Sequence, residues 1–158
     1  MEKPNIKWYE DKNISIYFSC VPCIGIRYIV PSMTNIEKKS IKKYPFINKK
    51  SLTVLINDKQ KDKMYCFTIP KDYCFDGASI PRFFWRLIGS KTDNTFLVAA
   101  MVHDTLCENH HYIDGDRYLS TIVFERLLSV GGVGSFKRWM MKHSVDNFQK
   151  FCGWGKNG

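Results

Sequence analysis

The stretch FDGASIPRFFWRLIGSKTDNTFLVAAMVHD, residues 75–104, divides the chain into two unlike halves. It opens on a turn sequence around Asp76-Gly77, passes an aromatic block and ends in a run of small apolar residues leading to His103-Asp104. Upstream, apolar residues alternate with polar ones, the period of a half-buried strand. Downstream they recur at three- and four-residue steps, the period of a helix. Strands first and helices afterwards predict an α+β domain: a small antiparallel sheet in the N-terminal half, packed against about three C-terminal helices. Residues 1–70 are then mainly β, with a basic connection over residues 31–51 that reads either as a loop or as a short helix and strand, and residues 80–152 are mainly α.

Working outward, Ile14-Ser-Ile-Tyr-Phe18 and Gly25-Ile-Arg-Tyr-Ile-Val30 read as strands, the second closed by Pro31. Leu52–Ile56 and residues 64–69 predict a hairpin joined by a charged, turn-forming link. On the other side, Pro81 suits a first helical position and Gly89 an end. Thr92-Asp93-Asn94 offers caps for a helix over about residues 95–108, with Phe96, Leu97, Ala100, Met101 and Leu106 on its apolar face. Further helices are predicted over residues 116–129 and 135–151, separated by Gly131-Gly132 and Gly134.

At 158 residues the chain has the length of a single domain, 1–158. No apolar run reaches the roughly 20 residues of a membrane span, and the polar start is not a signal peptide. A cytoplasmic protein is expected, which for a phage-encoded chain means the host cell cytoplasm. The net charge is +9, of which residues 1–63 carry +7 (13 Lys/Arg against 6 Asp/Glu). Such a half attracts polyanions, although its excess is lysine rather than the arginine of specific phosphate readers. Six cysteines without a secretory signal argue against disulfides, and Cys20, Cys23, Cys66 and Cys74 read as small buried strand residues rather than as a redox motif or zinc site.

The chemistry-bearing candidates lie at both ends of the dividing stretch. Asp76, His103 and Asp104 could form an acid–base site or hold a divalent metal, zinc or manganese, that activates water. His110 and His111 follow closely in a turn, and Ser79 and Arg82 follow Asp76. The competing reading is structural. Asp76 then caps its turn, and His103 and Asp104 are satisfied by backbone or arginine. Ser79 lacks the G-x-S-x-G surroundings of a nucleophile elbow. Neither a phosphate-binding glycine loop nor a nucleic-acid motif is present.

F-D-G-A-S-I-P-R, A-A-M-V-H-D-T-L-C and D-R-Y-L-S-T-I-V-F, in this order and spacing, resemble the phage and bacterial proteins grouped as domain of unknown function 1353. The resemblance covers about residues 68–151 and leaves the basic stretch before Leu52 aside. It implies that Asp76, His103, Asp104 and Arg117 occupy the family's motif positions, and it implies a phage or prophage setting. Three positions depart from the pattern: Phe75 replaces Thr, Cys107 replaces Tyr, and Thr121 stands where the later motif has Asp. If that Asp completes a site, Asp114 or Asp116 must replace it here.

Three functions follow as expectations. The first is a metal-dependent hydrolase of a phosphodiester or peptide-type bond, with Asp76, His103 and Asp104 as catalytic groups and ligands and Ser79, Arg82, Arg117, His110 and His111 in binding roles. The second is a non-catalytic anti-defence or host-interaction protein that binds a host protein or a small signalling molecule. The third is nucleic-acid binding through the basic N-terminal half.

Overall fold

Alternating burial makes the larger sheet. In this computed structural model, which describes residues 3–76, 94–130, 134, 135, 138, 139, 142 and 143, four antiparallel strands run in the order β1-β2-β5-β6. They are β1 (Ile6–Glu10), β2 (Ile14–Phe18), β5 (Leu52–Asp58) and β6 (Lys63–Ile69). The register places Ile16 opposite Ile56 and Ile56 opposite Tyr65, and likewise Phe18, Val54 and Phe67 in one row. Every second side chain therefore enters one core face, as the strand period requires. A smaller antiparallel sheet, β3-β4-β7, pairs β3 (Ile24–Ile26), β4 (Phe46–Asn48) and β7 (Cys74–Phe75). Between β3 and β4 lies helix α1 (Asn35–Lys43), opened by a capping box of Thr34 and Glu37.

Helix α2 (Asn94–Glu108) is the centre of the domain. Its residues 97–106 are all buried, so it is enclosed on every side. A helix apolar all round belongs inside a core, and Ala99 and Ala100 let neighbouring elements approach closely. Full burial of Leu97, Met101, Val102 and Leu106 is worth roughly 1.5–3 kcal/mol each. A 3₁₀ turn (His110–Ile113) leads into α3 (Arg117–Val130), which packs along α2 through Val123, Phe124 and Leu127. Residues 135, 138, 139, 142 and 143 are helical.

The N-terminal edge is tied to α3 by a charged knot. Asp11 accepts hydrogen bonds from the Tyr9 hydroxyl at 2.8 Å, from Arg126 Nε at 2.8 Å, and from the backbone N–H groups of Asn13 and Ile14. Those four donors hold the Asp11 carboxyl down at about 2 against the opposing effect of its partial burial. Arg126 also pairs with Glu125, which receives Arg138 on its other oxygen at 3.4 Å.

The α+β architecture and the hairpin agree with the sequence reading. Several details differ. The expected strand over residues 25–30 ends at Ile26: the Arg27 N–H still donates to the Pro45 carbonyl in register, but proline has no N–H to return. β1 and β7 are strands that periodicity did not announce; each is short, and pairing rather than pattern defines it. The residue 31–51 connection takes the second of its two readings, a short helix and a strand. α2 is buried on all faces, not on one stripe. Of the five described cysteines only Cys20 is buried, while Cys23 and Cys66 are exposed. The helix expected after Pro81 lies outside the described residues.

Candidate functional site

The site grows from the turn between the two sheets. Asn48, on β4, is fully buried, and its side-chain amide donates to the carbonyls of Ile69 at 3.3 Å and Pro70 at 3.0 Å. Its backbone N–H donates to the Tyr73 carbonyl at 2.8 Å, and its carbonyl accepts from Asp72 N–H at 2.8 Å. Asp72 sits at φ 71°, in the left-handed region that Asp tolerates in turns. This staple fixes the chain just before Tyr73, whose ring lies near-parallel to that of Phe75 at 6.2 Å.

Tyr73 then meets helix α2. The Tyr73 hydroxyl is buried and makes no hydrogen bond of ordinary geometry among the described residues; Thr105 and Glu108 are side chains that act on it. Burial first, and then the negative charges of Glu108 and Asp104, push this phenol far up. Glu108 is raised in turn, chiefly by partial desolvation and further by the charge of Asp76, while the Tyr73 hydroxyl works in the opposite direction. Asp76 is half-buried, Asp104 is only 8% exposed, and Glu108 reaches solvent. The result is a set of three carboxyl groups and one phenol grading from the core to the surface, where α2 faces the β7 end of the smaller sheet.

His103 occupies a different environment. It is 2% exposed, its ring lies 5.0 Å from that of Phe124 on α3, and Cys107 Sγ is 3.7 Å from both ring nitrogens. Burial lowers it to about 3, so it is a neutral imidazole at ordinary pH. Successive helical residues point about 100° apart, which separates the His103 and Asp104 side chains. Among the described residues no group of three His, Cys, Asp or Glu side chains is arranged to hold a metal ion.

The remaining candidates sort by place. His111 is exposed and its ring lies 4.6 Å from Tyr112, which stacks on Phe67 of β6 at 5.3 Å. His110 begins the same 3₁₀ turn, and its carbonyl accepts from Gly115 N–H at 2.8 Å. Arg117 opens α3 half-buried, and its carbonyl accepts from Ser120 and Thr121 hydroxyls. Asp116 caps α3 by accepting from Leu119 N–H at 3.0 Å and pairs with Lys61; Asp114 is exposed and pairs with Lys63 at 3.5 Å. Both carboxylates thus have roles at the β5–β6 turn, and the Thr121 hydroxyl bonds back into its own helix. Ser79 and Arg82 lie outside the described residues.

Glu108 and Tyr73 were missed by sequence reasoning. Glu108 follows Asp104 by four residues, which puts both on one helical face, and that spacing was available to find it. Nothing local marked Tyr73, which reaches the site through long-range pairing.

The family model described as "Protein of unknown function (DUF1353)" matches residues 52–145. An uncharacterized protein of Sinorhizobium fredii (strain NBRC 101917 / NGR234), y4jT, is 42% identical over 40 residues, 25% of this chain. The match spans 12% of that relative's length. No solved structure matches the chain. Among the described residues no helix is long and apolar enough to cross a membrane.

Proposed function

The chain belongs to the DUF1353 family, and on that premise we propose that it hydrolyses a phosphodiester or peptide-type bond at the Tyr73–Asp76–Asp104–Glu108 site. One observation carries the reading: Asp104 and Glu108 lie one helical turn apart on α2, Asp104 buried and Glu108 exposed, and the direction in which desolvation and the charge of Asp76 push Glu108, upward, agrees with it. Paired carboxyl groups whose surroundings drive one of them upward are the usual means of keeping a general acid at neutral pH. In this reading Glu108 donates a proton to the leaving group. Asp76 accepts one from the attacking water. Asp104, deeper on the same helical face, maintains the negative field around the buried Tyr73 hydroxyl. A divalent ion such as zinc or manganese would be taken by Asp76 and Asp104, where it would polarise the substrate.

The test is an assay of the full chain on a chromogenic phosphodiester and a quenched peptide library, beside Glu108→Gln and Asp76→Asn. Turnover that falls by about 10²–10⁴ in both variants, with unchanged circular dichroism, is the expected result. Metal analysis of the chelator-free protein and its Asp104→Asn variant addresses the ion. A folded protein that turns over neither substrate class sinks the hydrolase reading and leaves the site as a binding pocket for a small ligand.

A further inference from the structure

The part of the chain that precedes the family match carries its own unassigned surface. Residues 26–50 contain seven Lys/Arg (Arg27, Lys38, Lys39, Lys42, Lys43, Lys49, Lys50) and one acid, Glu37; the difference is +6 of the whole chain's +9. Large apolar side chains in the same stretch stand in solvent: Tyr28 is 73% exposed and Ile36 is 81%, with Ile29 and Val30 exposed between them. Arg27 fastens this connection onto the helix by donating to the Tyr44 carbonyl at 3.0 Å and to Ser40 Oγ at 3.4 Å. In α1 only Ile41 is buried. At 100° per residue, Ile36, Lys39 and Lys43 share the face opposite Ile41.

We infer that this face, α1 with the connection preceding it, is a peripheral docking surface for an anionic lipid membrane. Lysines draw such a surface to negatively charged headgroups, and neighbouring apolar side chains bury at the headgroup–acyl boundary while lysine stems extend outward. Protein partners favour arginine and deplete lysine at their contacts, whereas the single arginine here is already engaged with Tyr44 and Ser40. Nucleic acid would use the lysines and could stack a base on Tyr28, but it would leave the aliphatic Ile29, Val30 and Ile36 without apolar contact. Ile36, Lys39 and Lys43 on one helical face, with exposed Tyr28, Ile29 and Val30 in the adjoining connection, favour the lipid surface. This inference stands independently of the carboxylate site.

Co-sedimentation of the full chain with phosphatidylcholine vesicles and with phosphatidylcholine–phosphatidylglycerol vesicles tests it. Binding is expected only to the anionic vesicles, weakening as salt rises. Lys39→Gln and Lys43→Gln should each weaken it about fivefold. The double variant Tyr28→Ser/Ile36→Ser, which alters exposed positions and leaves the circular dichroism unchanged, should weaken it further. Equal binding to both vesicle types, no binding to either, or full binding by the double serine variant overturns the proposal. Tighter binding to duplex DNA than to anionic vesicles at the same salt overturns it too and assigns the face to nucleic acid.

Discussion

The Asn48 backbone N–H donates to the Tyr73 carbonyl at 2.8 Å, so a buried amide in the smaller sheet sets the position of a phenol in the candidate site. The same Asn48 side chain satisfies the Ile69 and Pro70 carbonyls where β6 ends. A single residue thereby joins the end of the large sheet, the turn after it and the site.

Asn48→Leu keeps the backbone bond to Tyr73 but should cost stability, and by freeing the Ile69 and Pro70 carbonyls it should loosen the turn that leads to Tyr73. Two carbonyls lose their side-chain donor, at about 1–3 kcal/mol for each buried group left unmade. A chemical denaturation midpoint lowered by several kcal/mol-equivalents, with altered Tyr73 ring resonances, is the expected outcome. A variant as stable as the parent would show that solvent replaces the amide.

Acid should unfold the protein partly through His103. Its pKa falls from the ordinary 6.5 to about 3 on folding, because burial disfavours the imidazolium. Between those values the unfolded chain binds a proton that the folded chain refuses, so stability is lost as pH falls below 6.5 and levels off near 3. His103→Phe should flatten this slope in denaturation curves at stepped pH; an unchanged slope would assign it to other groups.

Asp11→Asn should weaken the attachment of β1 to α3. The Asp11 carboxylate, held at about 2, contributes stability that is complete above the ordinary 3.8 and lost as pH falls through about 2. Because the group is partly solvated, the cost of the substitution at neutral pH should be about 1–3 kcal/mol. Hydrogen exchange of the β1–β2 amides is the sensitive readout: faster exchange confined to those strands is expected.

Glu108→Gln should change the pH dependence of the site in the sense its environment dictates. A raised carboxyl destabilises the fold as pH climbs through its folded value, since the unfolded chain ionises more readily. The glutamine variant should therefore be at least as stable as the parent at neutral pH while losing the basic limb of any pH–rate profile. A variant that is both less stable and equally active would remove Glu108 from the chemistry.

How much of this was legible in the chain differs by element. The β5–β6 hairpin and the span of α2 followed from period and turn chemistry, since Leu52, Val54 and Ile56 alternate and Leu97, Ala100 and Met101 do not. Asp76 and Asp104 were singled out by their motifs. The two-residue strand β7 escaped, because so short an element carries too few positions for a period to register.

What the sequence determined by itself was the order of strands before helices, the basic N-terminal half and family membership, all properties of local spacing, composition and motif. Tertiary structure decided the environment of each candidate. It turned His103 toward Phe124, brought Tyr73 and Glu108 into the company of Asp104 and Asp76, and committed Asp114 and Asp116 to lysines on the β5–β6 turn. The physical reason is that a side chain's direction on an enclosed helix, and the charge it meets there, depend on neighbours distant in the chain. Asn48 and Tyr73 are such neighbours, separated in sequence and joined by one backbone hydrogen bond.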